Sequence, residues 1–166
     1  MNKKLLRNIF ISIIFLLNSC SYEPIFSKKD YGFSLGQITF VGDKTINRNI
    51  KNRLSFINKK TSLGTSDNLS FNETSFDLSI ITKKERRTIS KDSKGDPVKF
   101  ELIVTTSLGV YNKNKSILNR EIKKSYIYNN VSDKFKLEED EDIILENISE
   151  NISESIISLI LNLNDN

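Results

Sequence analysis

The sequence predicts an α+β domain, a two-layer sandwich in which a four-stranded, mainly antiparallel sheet carries two helices on one face. Three observations support this fold class. Apolar and polar residues alternate along stretches between residues 75 and 129, as in half-buried strands. Two other stretches have apolar residues at helical spacing, and a short β-prone run precedes the first of them. Because each element has one apolar face, a single core between two layers buries them all, in the order β-α-β-β-β-α.

The first strand and the first helix follow each other closely. The run LGQITFV, from Leu35 to Val41, is apolar and β-prone, and Gly42-Asp43 ends it. Residues 45–58 then have one apolar stripe at helical spacing, with Asp43 or Thr45 as candidate N-cap, and residues 59–72 are polar and predict a loop. The stripe consists of Ile46, Ile50, Leu54 and Ile57.

Three strands of a meander follow. Residues 75–90 begin with clear alternation and continue through a charged stretch, and residues 91–97 are a strong turn signal. Residues 98–110 form the clearest strand, since apolar side chains and one threonine occupy every second position. A polar turn at 112–115 leads to a strand over 116–129. The predicted apolar face of the middle strand consists of Val98, Phe100, Leu102, Val104, Thr106, Leu108 and Val110.

The carboxy-terminal segment predicts one long amphipathic helix. Its acidic run, Glu138 to Asp142, suits the positive end of a helix dipole. Isoleucines then recur every four residues from Ile144 to Ile160, a period that drifts around the helix and should widen the apolar stripe. We expect this stripe to pack against the sheet, and docking to a partner or a membrane surface is the alternative.

The amino-terminal residues are typical of a lipoprotein signal peptide. A positive segment precedes an apolar run, Ile9 to Leu17, that is too short to span a bilayer. Leu17-Asn18-Ser19-Cys20 resembles a lipobox, and Cys20 is the one cysteine in the chain. We therefore expect a signal peptide over 1–19, a lipidated Cys20 with a tether over 20–33, and a single domain over 34–166. The alternatives are a cleaved secretory signal with an incidental cysteine, or a short uncleaved anchor.

Composition offers little for catalysis. The chain has no histidine, and its single thiol lies at the expected lipidation site. No glycine-rich phosphate loop or nucleophile elbow occurs, and the acidic run lacks calcium-loop spacing, so we predict no enzyme activity, no metal and no cofactor. The formal charge is +4, and three of these charges belong to the signal peptide. A mature chain near +1 does not indicate a nucleic-acid partner.

A basic stretch is the candidate binding feature. Cationic side chains gather around the turn between the second and third strands, where they suit phosphate groups such as those of lipid A. The alternative is a solvated hairpin rim, whose charges discourage edge pairing. The candidate residues are Lys83, Lys84, Arg86, Arg87, Lys91 and Lys94.

Several of these features together resemble the LPS-assembly lipoproteins of the LptE family, especially the alphaproteobacterial members. An aromatic residue and a proline, Tyr22 and Pro24, follow the lipobox closely, and the element order agrees. The segment from Ser125 to Leu161, with its tyrosine-bearing strand, acidic start and long helix, is the shared carboxy-terminal part. The helix departs from that pattern, because it is rich in Ile and Ser where the relatives are Ala-rich.

The resemblance implies a function that the residues alone do not give. Such lipoproteins are non-enzymatic and face the periplasm from the outer membrane. They plug the LptD β-barrel, support its assembly, and take part in the transport of lipopolysaccharide and its insertion into the outer membrane. It therefore implies an LptD-type barrel, lipopolysaccharide and the lipid-anchored membrane as partners. The alternatives are a lipid-binding lipoprotein module of another envelope-assembly machine, with a pocket under the sheet, and, as a third class, a surface-exposed enzyme.

Overall fold

The structure, a computed structural model, describes residues 32–63 and 74–164, with the backbone alone for 58–63. The predicted signal peptide, Cys20 and the tether as far as residue 31 lie outside the described residues, so these features stay predictions. The six predicted elements are present in the predicted order. They are β1 (Phe33–Gly42), α1 (Lys44–Leu63), β2 (Thr74–Lys91), β3 (Pro97–Asn112), β4 (Lys115–Asn129) and α2 (Lys134–Asn164).

The four strands form one open, mixed sheet in the order β1-β2-β3-β4, which confirms the predicted fold class. β1 is parallel to β2, because α1 carries the chain back to the starting edge, and the other two pairs are antiparallel. β1 pairs with β2 only as far as Gly42 and Thr82, whereas β3 follows β2 to Lys91. The β2–β3 hairpin therefore extends beyond β1 by about half its length.

Both helices pack on one face of the sheet and close a single core. The predicted stripe of α1 is confirmed, since its four residues are at most 3% exposed. Alternate side chains of β2 and β3 meet this stripe and the isoleucines of α2. The stripe of α2 is wider than a single row, because Leu145, Ser149 and Ser153 are also buried. Both serine hydroxyls donate to the carbonyl four residues earlier, which satisfies them inside the core.

Two helix boundaries differ from the predictions. α1 continues to Leu63, past the predicted start of a loop at Lys59. α2 begins at Lys134 and not with the acidic run, because the Asp133 carboxylate accepts hydrogen bonds from the backbone N–H groups of Phe135 and Lys136. The first turn of α2 thus contains no acidic residue, and the predicted dipole role of the acidic run is wrong.

A bulge in β1 fixes its position on β2. The pairing register shifts between Leu35 and Ile38, which releases the backbone N–H of Gln37 from the ladder. Asp77 Oδ1 accepts this N–H at 2.7 Å. A side chain on Gly36 would overlap that same carboxylate oxygen and push it away from the Gln37 N–H, so glycine suits this position.

The described domain has two distinct ends. Phe33, where β1 begins, lies beside the start of β2, and Gly32 lies close to Asn164 at the end of α2. The opposite end holds the β2–β3 turn at residues 92–96, where the backbone N–H of Asn130 donates to the carbonyl of Val98. Neither described helix has an apolar window of the length needed to cross a membrane.

Candidate functional site: the basic hairpin

The basic residues lie on the part of the β2–β3 hairpin that extends beyond β1. We call residues 83–105 the distal hairpin. Asp92 organises its turn, since its carboxylate accepts the backbone N–H groups of Lys94 and Asp96. The backbone of Gly95 has a φ of 89°, a conformation that favours glycine. The turn thus has a defined backbone, and two carboxylates lie within it.

Strand alternation separates four of the predicted binding residues onto two faces. Lys84 and Arg86 continue the even-numbered series of β2, whose earlier members Leu78 and Ile80 are buried under the helices. Lys83 and Arg87 point to the opposite, open face of the sheet. These four cations, which are close together in the sequence, therefore lie as two pairs on opposite faces of the sheet.

Arg86 ties the distal hairpin to α2. Its Nη1 lies 2.8 Å from Glu141 Oε1, and its guanidinium carbon lies 4.9 Å from the centre of the Phe100 ring. The hydrogen bond to Glu141 raises the pKa of Arg86 further above its usual value. Since Arg86 already has a carboxylate and an aromatic face as partners, its charge is used within the domain.

Tyr128 completes this group of side chains. Its hydroxyl donates to the same oxygen, Glu141 Oε1, at 2.6 Å, and its ring lies 5.8 Å from that of Phe100. Burial and the hydrogen bond to Glu141 raise the pKa of Tyr128 above its ordinary range, so it stays protonated as the donor. Glu141 belongs to the acidic run, and its role is thus a specific contact between α2 and the sheet.

Lys84 lies near the turn between β1 and α1. Its Nζ is 3.6 Å from Asp43 Oδ2. The other oxygen of Asp43 accepts the backbone N–H groups of Thr45 and Ile46, which makes Asp43 the N-cap, as one of the two predicted candidates. Gly42 passes so close to the carbonyl of Thr82 that a side chain there would overlap it. Lys84 therefore adds a weak ion pair to a structural turn.

Arg87 forms an ion pair across the open face. Its Nη2 is 2.7 Å from Glu101 Oε2, and its Nε donates to the same oxygen. This hydrogen bond, followed by one from Ser125, lowers the pKa of Glu101 below its usual value. The pair joins directly opposed positions of β2 and β3, so it is a cross-strand contact of the sheet.

The remaining candidates are three exposed lysines of the distal hairpin. Among the described residues, no carboxylate lies within ion-pair distance of Lys83, Lys91 or Lys94. These lysines are exposed, and each offers an ammonium group that can bind a phosphate as a point charge. The described part of the chain contains no group of carboxylates or thiols that could hold a metal ion.

Sequence reasoning missed the partners of the two arginines. Glu141 lies 55 residues from Arg86, so their contact depends on how α2 docks. The placement of the basic residues on two faces of the sheet was predictable, because the alternation that begins at Phe76 continues through the charged stretch. The six candidates thus divide into three ion-paired cations and three exposed lysines.

Comparison with known proteins gives a likeness of fold. No family model matches the sequence, and no curated protein matches it. The chain is similar to the crystal structure of rare lipoprotein B from Shewanella oneidensis, with a TM-score of 0.53 and 19% identity over 77% of this chain and 98% of that one. It is also similar to a crystal structure of a lipoprotein from Caulobacter crescentus CB15, with a TM-score of 0.53 and 9% identity over 81% and 92% of the two chains.

A third structure has the same architecture. The solution structure of lipoprotein B from Nitrosomonas europaea has a TM-score of 0.50 and 17% identity over 78% of this chain and 80% of that one. At these identities the comparison concerns architecture and not individual residues. The described domain therefore has the fold of bacterial lipoproteins of the rare lipoprotein B type.

Proposed function

We propose that this chain is a lipid-anchored, non-enzymatic subunit of the outer membrane that occupies the lumen of an LptD-type β-barrel. There it supports assembly of the barrel and insertion of lipopolysaccharide. The observation that carries the proposal is the fold shared with rare lipoprotein B, which covers most of this chain. The lipobox-like residues that end at Cys20 support the same class of protein.

The dimensions of the domain suit a plug. β2 contains 18 residues and α2 contains 31. Their lengths are about 55–60 Å and about 45 Å, which match or exceed the thickness of a bilayer with its headgroups, about 40–45 Å. Both elements run between the same two ends of the domain, so a barrel lumen of bilayer height could contain most of its length.

The position of Phe33 gives the plug a direction. Twelve residues separate Cys20 from Phe33, so a lipid on Cys20 would be tied to the end of the domain where β1 begins. The turn at residues 92–96 lies at the other end. An anchor in the inner leaflet would then leave the distal hairpin, with Lys91 and Lys94, far from the anchored end. Exposed ammonium groups there could meet phosphates of lipopolysaccharide.

The packing between the sheet and the helices favours a plug over the alternative of a lipid-binding module. The side chains that face each other between the sheet and the helices are almost fully buried, among them Ile80, Val104 and Ile152. A lipid pocket under the sheet would need space where these side chains meet. A surface depression around Gly109 lies on the open face of the sheet, away from the core between the layers, and Tyr111 covers part of it.

Affinity purification from native outer membranes tests the proposal. We expect the full-length protein, extracted in mild detergent, to retain one large β-barrel in a fixed ratio. Depletion of the protein should reduce lipopolysaccharide at the cell surface, because an unplugged barrel fails to assemble. A stable complex with an unrelated envelope machine, without a barrel, would contradict the proposal.

A further inference from the structure

β4 forms a long and regular outer edge of the sheet. It pairs with β3 without a bulge over twelve residues, from Leu118 to Asn129, and no described strand lies on its other side. The backbone N–H of Asn130 donates to the carbonyl of Val98 in β3, and this bond identifies which residues of β4 direct their peptide groups towards β3. Peptide groups of even-numbered residues therefore face β3, and those of odd-numbered residues face outwards. The outward-facing positions are 119, 121, 123, 125, 127 and 129.

Neither layer of the domain covers this edge. Every odd-numbered residue from 117 to 129 is exposed on the open face. On the helix face α2 buries Ile122 and Tyr128, but Lys124 and Tyr126 between them, and Arg120 before them, stay exposed. An added strand would thus meet free peptide groups over about 35 Å. The other edge strand, β1, has only ten residues and is interrupted by the bulge at Gly36.

The charges of β4 limit which kind of strand can pair with its outer edge. β4 carries Lys115, Arg120, Lys123 and Lys124 against the single carboxylate of Glu121. Lys123 and Lys124 are consecutive, so they place a positive charge on each face at the centre of the edge. If two copies of β4 met at their centres, these lysines would oppose each other, which is unfavourable and is a common protection of edge strands. A strand with central carboxylates would instead find a partner on each face.

We propose that the outer edge of β4 is a docking site for an extended acidic segment of another protein, which joins the sheet as a fifth strand. Backbone hydrogen bonds at the odd-numbered positions supply the pairing, and Lys123 and Lys124 select carboxylates. The exposed side chains of Ile127 and Tyr126, 56% and 54% accessible, follow the two lysines along β4 and offer apolar contact to the same strand. This proposal concerns a different surface from the distal hairpin and does not depend on the barrel.

The test uses the full-length protein in non-ionic detergent and a short synthetic peptide of alternating Thr and Val with two central Glu residues. We expect saturable binding that weakens with salt, and slower amide hydrogen exchange at positions 121–127 of β4. A matched peptide with two central Lys residues should bind about tenfold more weakly. The double variant Lys123→Glu/Lys124→Glu should reverse this preference.

A proline variant separates strand pairing from simple charge attraction. The N–H of Ser125 faces outwards, so Ser125→Pro leaves the ladder with β3 intact but removes a donor from the outer edge. We expect Ser125→Pro to lose binding of the Glu peptide, whereas Ser125→Ala keeps it. Far-ultraviolet circular dichroism and thermal unfolding of both variants identify a loss caused by unfolding, and in that case Ile127→Pro against Ile127→Ala repeats the comparison. The proposal is overturned if the Glu peptide does not bind, if binding leaves exchange in β4 unchanged, or if a folded proline variant binds as well as its alanine control.

Discussion

Arg86 and Glu141 join the distal hairpin to the long carboxy-terminal helix, with 2.8 Å between Nη1 and Oε1. The same carboxylate oxygen accepts the hydroxyl of Tyr128, and the guanidinium lies against Phe100. Arg86 of β2 and Tyr128 of β4 thus meet at one carboxylate of α2, and Phe100 of β3 lies beside both of them. This contact holds the extension of the hairpin, beyond the end of β1, in a fixed relation to the helix layer.

A double-mutant cycle measures this contact. The variants are Arg86→Met, Glu141→Gln and their combination, and the quantity is the free energy of unfolding from denaturant titration. We expect a coupling energy of about 0.5–1 kcal/mol, because the pair is half exposed and screened while the Tyr128 hydrogen bond fixes the carboxylate. If the effects of the two single substitutions on the free energy of unfolding simply add in the double variant, the contact does not hold the hairpin.

The Arg87–Glu101 pair predicts a pH dependence. The pKa of Glu101 lies below its usual value in the folded state, because Arg87 donates a hydrogen bond to its carboxylate. The stabilisation is therefore present above the unfolded-state pKa of glutamate and is lost as pH falls through the lowered folded-state value. In Arg87→Gln we expect the pKa of Glu101 to rise in an NMR titration of its side-chain carboxyl. The stability difference between the two proteins should shrink on acidification, and an unchanged pKa would assign the shift to other groups.

The bulge in β1 predicts a context-dependent cost of Gly36→Ala. The added methyl group would overlap Asp77 Oδ1 and disturb its hydrogen bond with the Gln37 N–H. We expect a loss of about 1–3 kcal/mol in the free energy of unfolding. In an Asp77→Ala background the same change should cost less, since the obstructing carboxylate is absent. Equal costs in the two backgrounds would exclude this clash as the cause.

The exposed lysines of the distal hairpin predict a difference within the basic residues. We expect the triple variant Lys83→Gln/Lys91→Gln/Lys94→Gln to weaken binding of the full-length protein to lipopolysaccharide aggregates several-fold, because these ammonium groups form no ion pair with any described carboxylate. The control variant replaces Lys44, Lys51 and Lys113 with Gln and removes the same charge elsewhere. If both variants weaken binding equally, net charge is responsible and the hairpin is a solvated rim.

The fold was predictable because its signals are local periodicities. Alternation in β3 and the spacing from Ile46 to Ile57 identify which faces are buried, and the single core follows from them. The start of α2 was mispredicted because both Asp133 and the acidic run are favourable near a helix amino terminus, and it is Asp133 that caps the helix, about one turn before the run. Continued alternation could have shown that Lys84 and Arg86 share the helix face. Their partners depend on long-range docking, which no local pattern contains.

In-cell photo-crosslinking from opposite sides of the domain tests the central claim that this chain is a barrel plug. Ile81 on the open face and Phe56 on α1 are 49% and 58% exposed, so a crosslinking amino acid fits at either position. A plug is surrounded by its barrel, and we therefore expect both positions to crosslink to the same β-barrel, while the buried position 152 gives no product. Crosslinks to a barrel from one side only, or to different envelope proteins from the two sides, would contradict the account.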